Sequence, residues 1–287
     1  MKPEAPHAIR LADYRPPAFL VETIDLVFDL DPQATRVHAE SRVRRNPAAE
    51  PGAPLTLFGE GLKLLSLAID GVEPAERRLE GERLEIAGVP DAFVLTVETE
   101  IAPAANTRLE GLYLSNGTFC TQCEPEGFRR ITWFPDRPDV MATYRVTVRG
   151  DRKALPVLLS NGNLEDSGAL PDGRHYAVWH DPFPKPSYLF ALVAGDLGCV
   201  RDSFTTRSGR QVDLRIYTHH GFEARCAYAM DALKRSMAWD EETFGLEYDL
   251  DRFNIVAIND FNMGAMENKS LNVFNAKYIL ADAETAT

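Results

Sequence analysis

Alternation of apolar and polar residues with a period of two dominates the first two-thirds of the chain and restricts what it can fold into. Ile24, Leu26, Phe28 and Leu30 give one strand an apolar face, and Val37 begins a matching face on its neighbour. This period is typical of half-buried strands rather than helices. Short runs separated by turns of Gly, Pro, Asn and Asp favour an antiparallel β-sandwich. Further alternating runs lie at 65–69, 84–86, 93–101, 144–148 and 176–178.

The pattern changes near residue 196. Residues 181–186, with the sequence D-P-F-P-K-P, predict a rigid turn, and the mostly apolar residues 188–195 predict one more buried strand. We expect a domain boundary just after that strand. This divides the chain into a β-sandwich domain at 1–196 and a second domain at 197–287.

Strand and helix patterns follow one another beyond the boundary. Residues 212–216 predict a strand, apolar residues recur at helical spacing across 226–244, and Gly245 supplies a stop signal. Residues 253–258 and 271–274 predict two more strands with a loop between them. This order is the opening of an α/β unit, and no closing helix follows. We therefore expect the second domain to be partial.

Composition limits the partners of this 287-residue chain. It has 43 acidic and 31 basic residues, a net charge of −12, and this acidic balance disfavours nucleic acid and anionic membranes. Residues 1–7 lack the apolar segment of a signal peptide, and no later stretch approaches the roughly 20 apolar residues of a membrane helix. We expect a cytoplasmic protein.

The four cysteines do not form a metal or disulfide framework. Cys120 and Cys123 make a C-x-x-C pair, but Cys199 and Cys226 are far apart and supply no second pair for a zinc ribbon. A redox motif would open a helix in a βαβ unit, and none is predicted here. We expect four reduced cysteines that pack as small apolar residues.

The most informative segment is the loop at 259–269. Its sequence G-A-M-E-N, residues 264–268, combines a glycine with small and acidic residues. Glycine lets the backbone approach a ligand closely while a carboxylate points at it. Composition alone favours a surface loop with a charged tip.

Two blocks of sequence resemble the aminopeptidase N family in its bacterial branch. Residues 264–268 resemble its substrate-recognition motif, and residues 121–129, T-Q-C-E-P-E-G-F-R, resemble its other amine-binding segment. The resemblance runs from about Gly111 to the end, and more weakly through the preceding strands. It implies a mainly β protein, in which an antiparallel β-sandwich is followed by the start of a thermolysin-like α/β catalytic domain. The implied activity is that of a zinc metallo-aminopeptidase of the gluzincin type.

The resemblance also implies roles for two acids. By motif position, Glu124 and Glu267 bind the protonated amino terminus of a peptide, with Glu267 as the catalytic-site acid. Two carboxylates on one ammonium make a free amine a requirement, so internal peptide bonds are rejected. The family is similar in holding the peptide bond after the first acid cis. Because Pro125 follows Glu124, we predict a cis Glu124–Pro125 bond.

Other residues of the two blocks complete the implied substrate site. Gln122 matches a residue that lines the first side-chain pocket, and Met263 matches one that cushions and gates it. Backbone groups of Gly264 and Ala265 would align the substrate along an edge strand. The remaining motif positions of this implied site are Met266 and Asn268.

The zinc-binding motif of such enzymes is absent from this sequence. None of the six histidines belongs to an H-E-x-x-H, whose histidines ligate zinc and whose glutamate activates water. The resemblance thus implies zinc in the complete enzyme, and we expect no metal site and no hydrolysis from this chain alone. The implied partners are peptides with a free amino terminus and the remainder of the catalytic domain.

Two other functions fit parts of the sequence. One is a non-catalytic β-sandwich interaction module of the same superfamily, although a scaffold has no need to retain Gln122, Glu124 and Glu267. The other is an epoxide-hydrolysing relative, which would need the same zinc helix. An H-E-x-x-H motif in the parent gene would separate the enzymes from the scaffold.

Overall fold

The computed structural model describes residues 10–285, and the protein is mainly β. Residues 1–7, considered above for a signal peptide, and the final two residues lie outside the described residues. None of the described helices is long and apolar enough to cross a membrane. The strands of the first part are β1 Phe19–Asp29, β2 Thr35–Arg45, β3 Leu55–Phe58, β4 Lys63–Ile69, β5 Arg77–Glu80, β6 Arg83–Ile86, β7 Ala92–Ile101, β8 Gly111–Ser115, β9 Thr118–Gln122, β10 Met141–Asp151, β11 Val157–Ser160, β12 Asn163–Ala169, β13 Arg174–Pro186 and β14 Leu192–Gly195.

The second part, as far as residue 285, contains five strands and the longest helix. Its elements are β15 Gly198–Thr205, β16 Gln211–Thr218, α1 Ala227–Phe244, β17 Arg252–Ile258, β18 Ala265–Met266, β19 Leu271–Asn275 and α2 Ala276–Ile279. Along the whole described chain, short 3-10 helices lie at Leu11–Asp13, Pro103–Ala105, Phe128–Arg130, Ser187–Leu189 and Glu223–Cys226.

The strands form four sheets. A seven-stranded sheet has the order β12-β13-β10-β1-β2-β7-β4, a four-stranded sheet β11-β14-β9-β8, and a small sheet β3-β6-β5. The fifteenth to nineteenth strands form the sheet β15-β16-β17-β19-β18. The predicted fold class, a β-sandwich followed by the start of an α/β domain, is confirmed. The boundary at residue 196 stays a prediction.

Two local expectations differ from the structure. Residues 181–186 are not a turn, because β13 continues through them to Pro186. Its pairing with β12 ends at His180, so the prolines beyond that point break no hydrogen bond of the β12 ladder. The apolar run at 188–195 is a strand only from Leu192 onward, since a 3-10 helix occupies Ser187–Leu189. The sheet that contains β1 is also not antiparallel throughout, because β1 and β10 pair parallel.

Helix α1 follows the sequence prediction closely. It ends at Phe244, and Gly245 caps it in the left-handed conformation with φ of 68°. Its buried Met230 and Met237 pack against strand residues of the five-stranded sheet, among them Val212 and Leu214. The helix therefore covers one face of that sheet.

The other face of the five-stranded sheet joins the core of the sandwich. Val256, Ile258 and Val273 belong to the same buried apolar cluster as Phe119 and Leu192 of the four-stranded sheet. Burial on both faces is characteristic of sheets with parallel strands, such as β16, β17 and β19. This shared core fixes how the two parts of the chain approach each other.

A buried ion pair lies in β13. Lys185 Nζ is 3.0 Å from Asp181 Oδ2, and the two side chains are 5% and 0% exposed. The ammonium also lies 3.8 Å from the centre of the Tyr144 ring. Burial lowers the pKa of Lys185 to about 8, although the charge of Asp181 acts in the opposite direction.

This shift predicts a pH dependence of stability. Between about pH 8 and 10 the folded protein releases the Lys185 proton while the unfolded chain, with the ordinary lysine pKa of 10.5, retains it. The unfolded state then binds more protons, so this group makes the free energy of unfolding rise with pH, by up to roughly 3 kcal/mol. Urea titrations at pH 7.5, 9 and 10 measure the effect.

The matched control is the double variant Asp181→Asn/Lys185→Met, which keeps every other titrating group. We expect the stability of the native protein relative to this variant to increase over the interval. Parallel pH profiles for the two proteins would contradict a depressed pKa at Lys185.

Candidate functional site

The first sequence block lies at the end of a tight hairpin. Strands β8 and β9 pair antiparallel along their whole length. Asn116 and Gly117 join them with φ of 48° and 81°, the conformation of a two-residue turn that matches the strand twist. All of β9 is buried, and Gln122 at its end is 1% exposed. The hairpin therefore presents Gln122 from a rigid support.

The Gln122 side chain connects the two blocks. Its Nε2 lies 2.8 Å from the sulfur of Met263, to which it donates. Its Oε1 accepts a hydrogen bond of 3.2 Å from the backbone N–H of Glu124. A residue of the first block thus contacts the second block directly and also orients the backbone at Glu124.

The chain turns sharply after Glu124, and here one prediction is wrong. The cis bond lies between Pro125 and Glu126, not before Pro125. Proline favours cis only in the bond that precedes it, so the preference used for the prediction does not act on the Pro125–Glu126 bond. Gly127 N–H donates to Cys123 O at 2.9 Å. A Cβ at position 127 would lie 2.5 Å from a backbone oxygen, so the turn requires glycine there.

A charge network centred on the largely buried Arg129 supports this turn. Glu126 pairs with Arg129 at 2.7 Å, and Arg129 Nε lies 3.0 Å from Asp136 Oδ2. The other Asp136 oxygen accepts from the hydroxyl of Ser187. Asp136 is 4% exposed, and the Arg129 guanidinium lies over the ring of Phe58. Glu126 and Asp136 thus share one cationic partner, Arg129.

Glu124 differs from these neighbours. Within residues 10–285 its carboxylate has no ion-pair partner. It lines a cavity of about 390 Å³ with the apolar surfaces of Pro125, Pro138 and Tyr188. The charged residues Glu126, Asp136 and Arg137 line the same cavity, and Arg137 is paired with Asp139. An unpaired carboxylate beside apolar surface is suited to a cation with an apolar body.

The second block lies in residues 259–270, which we call the recognition loop. Within it, Ala265 and Met266 form the two-residue strand β18, which pairs with β19 at the edge of the five-stranded sheet. Asn275 N–H donates to the carbonyl of Gly264 at 3.0 Å. Met266 is fully buried, whereas Met263 is 39% exposed. The outer side of β18 pairs with no other described strand.

Glu267 is an exposed acid of the recognition loop. The nearby Lys269 does not neutralise it, because Lys269 Nζ pairs with Asp249 at 2.9 Å and lies 3.6 Å from the centre of the Phe183 ring. No ion-pair partner of Glu267 is present in the described part of the chain. Asn268 is buried, and its Oδ1 accepts no hydrogen bond from the described residues.

The structure therefore brings the two blocks together through Gln122 and Met263. Glu267 is not among the residues that line the cavity beside Glu124. Joint binding of one ammonium by Glu124 and Glu267 stays a prediction.

The side chains in residues 10–285 that could ligate a metal ion are dispersed. The part covered by the structure contains no group of three or more His, Cys, Asp or Glu side chains that could hold a metal ion. The four cysteines are free thiols, and burial raises the pKa of Cys120 to about 12, so it is protonated at neutral pH. Four histidines have separate partners; these are His38 with Glu98, His175 with Leu155, His180 with Glu165 and His220 with Asp196.

Sequence reasoning missed the residues that support the site. Arg129 was only part of a matched block, and Asp136 was not singled out. Ser115 and Asp260, which hydrogen-bond across the two parts of the chain, were also missed. Their one local signal was position, since Ser115 comes directly before Asn116-Gly117, a turn-forming pair, and Asp260 lies in the loop at 259–269. Neither position identifies a partner 145 residues away.

Comparison with known proteins matches both parts of the chain. The family model for the peptidase M1 N-terminal domain matches residues 84–189, and the model for the peptidase family M1 domain matches residues 228–287. Aminopeptidase N of Caulobacter vibrioides is 59% identical over the whole chain, and that of Escherichia coli K12 is 53% identical over 99% of it. The chain spans about a third of the length of these curated relatives.

A solved structure shows the same fold. Legionella pneumophila aminopeptidase A, crystallised in complex with aspartic acid, superposes with a TM-score of 0.92 at 36% identity. The match covers 97% of this chain and 33% of that protein. The chain belongs to peptidase family M1 and is similar over its whole length to bacterial aminopeptidase N.

The charge network under the first block predicts a large stability effect. Replacing Asp136 with alanine leaves Arg129 largely buried and without its main counter-charge, which lowers the free energy of unfolding by about 3 kcal/mol. Urea denaturation measures this loss. Asp91→Ala is the control, because Asp91 is 83% exposed in its pair with Arg45 and its loss costs less than about 1 kcal/mol. Equal losses for the two variants would contradict a structural role of Asp136.

Proposed function

We propose that this protein is part of a zinc aminopeptidase that hydrolyses the amino-terminal residue from peptides. In this proposal the chain supplies recognition of the free amino terminus. Glu124 and Glu267 bind the ammonium group, and Gln122 and Met263 line the pocket for the first side chain. The observation that carries the proposal is the presence of two unpaired acids in two segments that touch each other.

Charge pairing supports the choice of these acids. Glu126 and Asp136 are occupied by Arg129, and Asp260 accepts from Ser115. Glu124 has no such cationic partner in the described chain. A peptide ammonium can supply the missing charge through charge-assisted hydrogen bonds, which are stronger than neutral ones. An acylated amine carries no charge and gains nothing from the acids.

The edge strand β18 supports a proposal for how the peptide backbone binds, namely extended along its outer side. The inner side of β18 is taken by β19, while its outer side is unpaired in the described structure. Backbone groups of Gly264 and Ala265, with Met266 and Asn268 of the same motif, would extend the sheet by a bound peptide strand. The Oδ1 atom of Asn268 is buried and has no partner among the described residues. It can accept a hydrogen bond when a bound peptide orders residues 264–268.

The remaining parts of the proposal concern the complete enzyme. Zinc, when bound, would activate water and polarise the scissile carbonyl, but its ligands are not residues of this chain. We accordingly propose that the chain alone binds no zinc and does not hydrolyse peptides, and that the remainder of the catalytic domain is its partner. We also propose domains at 1–196 and 197–287, a cytoplasmic location, and no nucleic-acid or membrane partner.

A non-catalytic interaction module of the same superfamily is the second candidate. The same architecture supports it, but it gives no reason for two uncompensated acids beside the Gln122–Met263 contact. Zinc content and hydrolysis of an aminoacyl-anilide by the complete polypeptide separate the two functions. Hydrolysis by the 287-residue chain alone would overturn the assignment of catalysis to other residues.

The amine-recognition proposal predicts how single substitutions change affinity. Glu124→Gln and Glu267→Gln should each weaken binding of a dipeptide amide with a free amine by roughly 10- to 100-fold, the effect of losing one charge-assisted hydrogen bond. The N-acetylated dipeptide should bind weakly to all forms. Isothermal titration calorimetry at pH 7 measures these affinities.

Glu126→Gln is the matched control, since Glu126 lies two residues from Glu124 and pairs with Arg129 at the surface. We expect its affinity for the free amine to change by less than about threefold. Comparable losses at 124, 126 and 267 would indicate a general effect of negative charge, and the two-acid site would then be rejected.

A further inference from the structure

The recognition loop is attached to the β-sandwich at both of its ends. Asp260 lies at its start, and Lys269 and Ser270 lie at its end. The start of the loop makes hydrogen bonds to β8 of the four-stranded sheet. The end of the loop makes hydrogen bonds to the turn that follows β11 of the same sheet. Glu267 and Met263 lie between these two attachments. The loop belongs to one part of the chain, but residues of the other part hold it.

The first attachment is made by β8. Ser115 Oγ donates to Asp260 Oδ2 at 2.8 Å and accepts from Asp260 N–H at 3.2 Å. Tyr113 OH donates to the carbonyl oxygen of Asp260 at 2.9 Å. Ser115 and Tyr113 are fully buried. Three hydrogen bonds with two alternate residues of one strand thus fix both the backbone and the side chain of Asp260.

The second attachment follows the end of β11. Asn161 Nδ2 donates to the carbonyl oxygen of Lys269 at 2.9 Å. Gly162 N–H donates to Ser270 Oγ at 2.5 Å. Asn161 is 1% exposed, and its Oδ1 accepts from Ala191 N–H at 2.7 Å, which holds the side chain in place. This end of the loop is therefore also tied to a rigid buried residue.

The two attachments lie at opposite edges of one sheet. The four-stranded sheet has the order β11-β14-β9-β8, so β8 and β11 are its outer strands. Gln122 ends β9 inside the same sheet and contacts Met263 in the middle of the loop. One sheet thus sets the position of both loop ends and of the first acid block. By contrast, the ladder between the loop and its own sheet is only two residues long.

We infer that Ser115 and Asn161 are positioning residues for the amine-recognition site. They contact no substrate in this arrangement. They hold the recognition loop so that Glu267 keeps a constant place relative to Gln122 and Glu124. The inference rests on the proposed function for its ligand, but the attachment of the loop can be measured separately.

Hydrogen exchange provides that separate measurement. Loss of a buried hydrogen bond that holds a loop favours its local opening. We expect Ser115→Ala and Asn161→Ala to raise exchange of the amides at 261–269 by roughly fivefold or more. Tyr113→Phe removes one of the three bonds and should produce a smaller increase, which keeps the test usable if the larger changes impair folding.

Ser160→Ala is the matched control. Ser160 is fully buried in β11, and its hydroxyl donates to Ala191 O at 2.7 Å, so it occupies the same sheet and spends its side-chain hydrogen bond away from the loop. Asp260→Asn serves as the conservative variant, because an amide oxygen can still accept from Ser115, whereas Asp260→Ala cannot. We expect Asp260→Asn to retain slow exchange of the loop amides and Asp260→Ala to lose it.

Binding distinguishes positioning from mere stability. Ser115→Ala and Asn161→Ala should lower the affinity for the free-amine dipeptide amide by roughly threefold or more. The affinity for its N-acetyl analogue should stay unchanged. Ser160→Ala should change neither. Equal loop exchange in Ser115→Ala, Asn161→Ala and Ser160→Ala overturns the inference. Lack of free-amine preference in the unmodified protein, with loop exchange still raised in the first two variants, instead overturns the proposed function.

Discussion

The apolar contact between the sandwich and the five-stranded sheet is the interaction on which the rest of this structure depends. Val256, Ile258 and Val273 on one face of that sheet share a core with Phe119 and Leu192 of the sandwich. Burial of apolar surface is the main favourable term in folding, and it has no directional preference of its own. It brings the sheets together, and hydrogen bonds then select their relative position. Residues far apart in the chain become neighbours for this reason.

Pairing of charges determines which acids remain available beside that contact. The chain is acidic overall, so excess carboxylates alone do not identify a site. Arg129 forms ion pairs with both Glu126 and Asp136 below the turn, and Lys269 forms one with Asp249. Glu124 and Glu267 have no cationic partner among the described residues, which leaves both carboxylates free to accept hydrogen bonds from a bound cation.

The recognition loop is held rigidly although it contains only the short edge strand β18. Two residues of β18 cannot fix a loop through a ladder alone, since isolated short pairings are marginal in water. Buried side chains of the sandwich compensate by holding both loop ends. The outer side of the strand is left open for an extended ligand. Rigidity and access are thus provided by different parts of the chain.

The sequence alone determined the features that depend on local periodicity. Alternation at Ile24 to Leu30 predicted β1, helical spacing predicted α1 with Gly245 as its cap, and motif letters indicated the family. It did not predict that β13 continues through its prolines, that Pro125–Glu126 is the cis bond, or that Ser115 meets Asp260. Periodicity records which face of an element is buried, whereas these features depend on which distant segment lies opposite, and only tertiary packing decides that.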